Sequence, residues 1–210
     1  MRKFLIARYG THAFACMMGL ILAGCAGQPV SVDPQATYYL GNAAKTPGML
    51  TNLKAIRGKS VRLEDFDFAR GVEPESKCAA LGFKASLQPP KGKSYQQYVR
   101  DALAEELSIV DAVSQDASQS ISGKITQIAL LDGSTERRCT WRIALQLKGS
   151  NGRVVEVQNE MSVLRNLQGN TPNHFIIAGS AMILRFNQAV RETLAIAIAQ
   201  PDFPKLFDPI

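Results

Sequence analysis

Between Cys139 and Val163, apolar and polar residues alternate along two runs separated by Asn151-Gly152, and few architectures absorb such a pattern. Cys139, Trp141, Ile143, Leu145 and Leu147 share one parity, while Thr140, Arg142, Gln146 and Lys148 share the other. Successive side chains of a strand point to opposite faces, so this run is a strand with one dry face and one wet face. Asn-Gly takes up the left-handed backbone of a tight hairpin turn, and Val155, Val157, Met161 and Val163 carry the alternation back. The hairpin therefore belongs to an antiparallel sheet that is covered on one side and open to water on the other. Arg142, Gln146 and Lys148 project from the open side, as solvated strand residues or, with helices covering the other face, as a partner surface.

Two amphipathic stretches supply the covering layer. After Pro89 and Pro90, Ser94 with Gln97 three residues on forms a capping box that starts a helix. Tyr95, Tyr98, Val99, Ala102, Leu103 and Leu107 fall on one side of it, with Gln97, Arg100, Asp101 and Glu105 largely away. A second helix is expected from about Ser180 to Ala199, ended by Pro201, after an irregular stretch around Gly169, Asn170 and Pro172. Met182, Phe186, Ala189, Val190, Thr193 and Ala197 cluster on one face, opposite Arg185, Gln188, Arg191 and Glu192. That polar face lacks the Lys/Arg majority of a membrane-surface helix, so the helix is placed on the sheet.

Two further strands slip phase. Val61 and Leu63 alternate in one register and Phe66 and Phe68 in the other, which predicts a bulge at Asp65. Ile121 and Ile125 share a parity that Ile128 and Leu130 leave, predicting a second bulge. Asp65 and Asp67 lie where a strand shows its solvent face and have no His nearby, so they are not read as metal ligands. In order, the elements are strand, helix, three antiparallel strands, helix. The expected fold class is α+β, a two-layer sandwich of a mainly antiparallel four-stranded sheet with two amphipathic helices on one face, forming a single domain over residues 60–210.

The N-terminus follows a different logic. Arg2, Lys3 and Arg8 precede an apolar run of 11 residues, Ala13 to Ala23, with no acid before it. This is the layout of a secretory leader, and it is shorter than the roughly 20 residues that span a bilayer. The run closes with Leu22-Ala23-Gly24-Cys25, which resembles the lipobox of bacterial lipoproteins. The resemblance implies that residues 1–24 are a signal peptide and that Cys25 becomes the first residue, carrying a diacylglycerol and an N-acyl chain such as palmitate. Each buried methylene contributes roughly 0.8 kcal/mol, so two or three acyl chains hold a protein on a membrane. Ala26 stands where inner-membrane lipoproteins of the enterobacterial pattern carry Asp, which implies the outer membrane, facing the periplasm. Residues 25–59 contain Pro29, Pro34, Pro47, Gly41 and Gly48 with little periodicity and read as a flexible tether, with Tyr38, Tyr39 and Leu40 as a short docked strand within it.

Without the leader, 21 basic residues stand against 18 acidic ones, a net charge near +3. That balance gives little reason to expect nucleic acid and leaves modest attraction to anionic lipid or sugar headgroups. Of the four cysteines, Cys16 leaves with the leader and Cys25 is lipidated, so Cys78 and Cys139 remain as an even pair in an oxidising compartment. A disulfide between them is expected.

The lipobox at Cys25, the Gln96-Gln97-Tyr98 to Leu107 helix, the Ile121-Ser122-Gly123-Lys124-Ile125 strand and the Trp141 hairpin together resemble the small envelope lipoproteins of anticodon-binding-like α/β fold. That group includes auxiliary lipoproteins of transport systems, a lipopolysaccharide-assembly lipoprotein and activators of peptidoglycan synthases. Its members are mostly non-enzymatic, so the resemblance implies an accessory, scaffold or activator subunit of an envelope machine. The alternative is a periplasmic carrier or sensor that holds a lipid, glycan or small molecule between helices and sheet.

The residues give no catalytic assignment. Gly58-Lys59-Ser60 and Gly92-Lys93-Ser94 end like phosphate loops, but Leu53 and Leu87 stand where the leading Gly is needed. There is no G-x-S-x-G elbow or H-E-x-x-H pair, and His174, the one His after the leader, reads as a loop residue. No enzyme, metal or cofactor beyond the acyl chains is expected.

Overall fold

The computed structural model describes residues 46–78, 89, 92–132, 138–164 and 172–210, with the side chains of 163, 164 and 172–185 excepted. In chain order the elements are helix α1 (Met49–Ala55), strands β1 (Arg62–Phe68) and β2 (Glu75–Lys77), helix α2 (Tyr95–Ser108), strands β3 (Ser120–Asp132), β4 (Arg138–Gly149) and β5 (Val154–Leu164), helix α3 (Pro172–Ala199) and a 3₁₀ turn, Phe203–Phe207. The fold is α+β, with one five-stranded sheet in the order β1-β3-β4-β5 and β2 also paired to β3.

The hairpin forms as its alternation demands. Cys139, Trp141, Ile143, Leu145 and Leu147 are all buried. β4 pairs antiparallel with β5 from Arg138↔Leu164 to Lys148↔Val154, and Gly152 in the turn has φ +82°. β3 pairs antiparallel with β4, and its register shifts between Ile125 and Gln127, where the apolar phase changes. β1 likewise shifts register between Leu63 and Phe66. The carbonyls at that irregularity are met by α2, with Arg100 Nε donating to Glu64 O (3.1 Å) and Nη2 to Leu63 O (3.0 Å).

Strand direction departs from expectation. β1 and β2 both run parallel to β3, so the sheet is mixed and has a fifth strand. The reason is the connection: β1 reaches β3 through α2, and a helical crossover returns the chain in the same direction. β2 escapes sequence reading because it has only three residues, Glu-Ser-Lys, with no apolar alternation.

α2 starts at the expected capping box, with Gln97 N donating to Ser94 Oγ (3.1 Å) and Ser94 N donating to Gln97 Oε1 (2.9 Å). Tyr95, Tyr98, Val99, Ala102, Leu103 and Leu107 are buried. α3 begins at Pro172, so His174 lies within a helix rather than in an irregular stretch. Pro fits there because the first turn of a helix has no use for its missing N–H.

The largest correction concerns the tether. Residues 49–56 belong to the packed body: Met49, Leu53 and Ile56 are buried, and Asn52 Nδ2 donates to Ile198 O and Gln200 O, both at 2.7 Å. Gly48, with φ +86°, brings the chain against the end of α3, where a Cβ would lie 3.1 Å from Ala199 O. Seven residues bounded by Pro47 and Gly58 are too short for a periodic pattern to show, which is why the segment reads as linker. Residues 25–45, including Tyr38, Tyr39 and Leu40, lie outside the described residues.

Glycine is required at position 123. Phe66 and Gly123 are register partners in the parallel β1–β3 pair, and a Cβ at Gly123 would run into the Phe66 ring. Gly123→Ala is expected to cost about 1–3 kcal/mol through overpacking. Phe66→Leu should recover part of that loss in the double variant, and urea unfolding of the four proteins checks it. Strictly additive losses would show that the ring is not what excludes a side chain.

Candidate functional site

The expected disulfide is present. Cys78 and Cys139 are bonded with Cα atoms 5.8 Å apart, and both are buried. Lys77 pairs with Leu131 and Cys139 with Asp132, so the bridge joins the two strands that flank the end of β3. β2 is held by only a three-residue ladder, and the covalent tie supplies what that short pairing lacks.

Arg142, Gln146 and Lys148 share the sheet face opposite the buried row of β4, as expected. Two of the three are engaged across the hairpin. Arg142 Nε and Nη2 reach Glu160 Oε1 at 2.7 and 2.6 Å, and Gln146 Nε2 donates to Glu156 Oε1 at 2.7 Å. These are register partners on β4 and β5, and such pairs contribute roughly 0.2–1 kcal/mol each to a sheet. Lys148 is exposed near the turn. Cross-strand pairs on the open face thus account for Arg142 and Gln146 without a partner, while Lys148 stands opposite Val154.

The covered face holds a polar seam, two members of which, Glu105 and Arg191, the helical pattern places away from the apolar stripes. α2 and α3 meet through Tyr95, Tyr98 and Phe186, whose ring centroids lie 5.6 Å from Phe186 in each case, over Trp141 of β4 at 5.1 Å. Farther along the same seam, Glu106 is 2% exposed and Arg191 is 9% exposed, with Arg191 Nη2 4.0 Å from Glu105 Oε1. Arg191 was expected on the outer face of its helix, but α2 packs beside it and covers it. Glu106 lies three residues after Leu103 and seven after Val99, so helical spacing alone places it in the buried stripe.

The electrostatics follow from burial. Burial holds the Glu106 carboxyl above the usual carboxylate range; Arg191 partly offsets this and Glu105 adds to it. Burial also raises Glu105, against the pull of Arg191 and Lys93. Burial pushes the Tyr98 hydroxyl up to about 12 and raises Tyr95 as well. Glu106 Oε2 has no hydrogen-bond partner among the described residues. The buried Glu106 and the partly exposed Glu105 therefore share the field of one guanidinium, and burial favours the neutral form of Glu106.

The other motifs take structural roles. Ser94 of the second Gly-Lys-Ser string caps α2, and Lys59 of the first pairs with Asp208 at 2.9 Å. Among the described residues no group of three or more His, Cys, Asp or Glu is placed to hold a metal ion. Cys25 lies outside the described residues.

No family model and no curated protein matches the chain. Among solved structures it is similar to a Xanthomonas campestris protein described by the family model DUF330, at 16% identity over 67% of this chain and 84% of that one, with a TM-score of 0.34. It is also similar to a hypothetical protein from Chlamydia trachomatis, at 9% identity over 70% of this chain and 98% of that one, with a TM-score of 0.34. Likenesses at this level carry no argument about role, and the α+β assignment rests on the chain's own strands and helices.

Two measurements follow from the site. The Cys78–Cys139 bond closes a span of 61 residues, so reduction is expected to remove about 4 kcal/mol in the chain-entropy account. A urea midpoint that falls with reductant in the parent, but not in the Cys78→Ala/Cys139→Ala variant, is the expected result. Glu106→Gln should be more stable than the parent at pH 7, by on the order of 1 kcal/mol. A raised folded-state pKa means that Glu106's favourable contribution is present below the ordinary carboxylate range and is lost as pH rises through the raised value. The advantage of Glu106→Gln should therefore shrink on acidification, and an advantage independent of pH would show that Glu106 does not titrate in the seam.

Proposed function

We propose that the chain is a lipid-anchored envelope protein, held on the periplasmic face of the outer membrane through acyl chains on Cys25, that works as a non-enzymatic accessory, scaffold or activator subunit of a transport, secretion or surface-assembly system. The observation that carries this reading is the leader: three basic residues, an 11-residue apolar run and Leu22-Ala23-Gly24-Cys25 at its end. The bonded pair Cys78–Cys139 supports it independently, because disulfides persist in oxidising compartments such as the periplasm. The packed body starts by Gly48, so 20 residues, 26–45, separate Cys25 from the first described residue, Thr46. A chain of that length reaches about 70 Å at full extension, enough to present the sheet to a partner above the bilayer.

Metabolic labelling with a palmitate analogue, followed by membrane fractionation and crosslinked affinity purification from the native host, tests the reading. Labelled parent protein in the outer-membrane fraction, unlabelled Cys25→Ala, and one envelope complex recovered only with the parent are the expected results. An unlabelled parent would overturn the anchor. A labelled parent that brings down a lipid or glycan but no stoichiometric protein would replace the accessory role with that of a carrier.

A further inference from the structure

α1 and the turn that follows it carry two stripes one residue apart. Met49, Leu53 and Ile56 are buried, whereas Leu50, Lys54 and Arg57, at the same spacing, are all exposed, Leu50 at 52%. Leu50 projects outward on the same side as the two cations. Lys54 and Arg57 make no ion pair among the described residues, in contrast with Lys59, paired to Asp208, and Arg62, paired to Glu64. The surrounding sequence is of one sign: Pro34 to Leu63 contains Lys45, Lys54, Arg57, Lys59 and Arg62 and no acid. A net charge near +3 for the chain without its leader hides this concentration.

An exposed Leu flanked by unpaired cations is the chemistry that an anionic lipid surface recognises. Lys and Arg lay their methylene stems along the interface and place their charges among the headgroups, and a neighbouring aliphatic side chain enters the acyl boundary. We propose that the Leu50 and Lys54 face of α1, together with Arg57 in the turn that follows it, seats on the anionic leaflet to which the chain is tethered. The identity of that leaflet rests on the anchor reading above; the chemistry of the face does not. Seating fixes an orientation. α1 contacts the end of α3, and the 3₁₀ turn beside it is bonded to the hairpin turn through Asn151, so this end of the body lies against the membrane. β4 runs from Arg138 to Gly149, about 40 Å for 12 residues, so the disulfide and the Trp141 aromatic cluster stand at the far end, toward the periplasm.

The test uses the mature, lipidated chain with Thr51→Cys as the only free thiol, since Cys78 and Cys139 are bonded and the anchor occupies Cys25. A fluorophore at position 51, on the exposed side of α1, is read against a lipid-borne quencher in vesicles of phosphatidylethanolamine and phosphatidylglycerol and in vesicles of phosphatidylcholine alone. Quenching that depends on phosphatidylglycerol, weakens with salt and falls on the order of tenfold in Lys54→Glu/Arg57→Glu is expected. Both side chains are exposed, so an unchanged thermal midpoint in the double variant establishes that folding is not what was lost. Equal quenching in the two vesicle types, or quenching indifferent to the charge reversal, overturns the proposal. So does an α1 shielded only in whole envelopes, which would assign the face to a protein partner. Two fluorophores per chain would report a free Cys25 and sink the anchor reading alone; Cys25→Ser protein added to the same vesicles then decides the surface.

Discussion

A strand of 13 residues needs hydrogen-bond partners along both edges, and the way β3 obtains them organises the rest of the molecule. β4 covers one edge almost throughout, while β1 and β2 divide the other between them. Because β1 and β2 run parallel to β3, the chain must cross over between them, and the crossover helix α2 lands on the face that the apolar parities of β3 and β4 have already marked as dry. β5, parallel to β3 at one remove, sends α3 back over the same face. The contacts Tyr98 to Phe186 and Glu105 to Arg191 ascend together on both helices, so α2 and α3 run in the same direction. One face is sealed by that layer, and the other is left to the polar parity and its cross-strand pairs.

What was legible in the sequence was local and periodic. The Trp141 hairpin, both phase slips and the Ser94 capping box each put their cause within a few residues of their effect. The direction of β1 was not legible, because alternation reports which face a residue takes and is silent about which way the neighbouring strand runs. β2 and α1 are too short to show a period, and α1 is held by what it touches: Asn52 finds carbonyls 146 and 148 residues away. The seam failed for a related reason. A helical wheel separates polar from apolar sides of a single helix, but Arg191 is buried by the helix beside it, and only the full packing reveals that. Glu106 was the exception, since its spacing from Val99 and Leu103 already placed a carboxylate inside the stripe.

That carboxylate sets a limit on what the seam does. Burial disfavours the charged form of Glu106, and Arg191 offsets that only in part, so an ionised Glu106 leaves the seam at less than its greatest attainable stability. Aromatic packing at Tyr95, Tyr98, Phe186 and Trp141 carries the contact between the helices, and the charged end is the part whose strength changes with protonation. The open face has no such tension, because its polar and charged side chains, Arg142 paired with Glu160 and Gln146 with Glu156 among them, remain in contact with water.

At the opposite end of the body, three neutral amides do the joining. Asn52 donates to the carbonyls of Ile198 and Gln200, Gln200 donates to Glu156 O on β5, and Asn151 donates to the carbonyls of Lys205 and Asp208. A helix leaves its last carbonyls without intrahelical partners, and Pro201 stops α3 from continuing, so those acceptors must be met from elsewhere. Lysine or arginine would have met them equally well and would have complemented the negative end of the helix. Asn52 does it from the side of α1 that faces the body, so Lys54 on the helix and Arg57 in the turn after it, both exposed, face away while the helix is fixed in place.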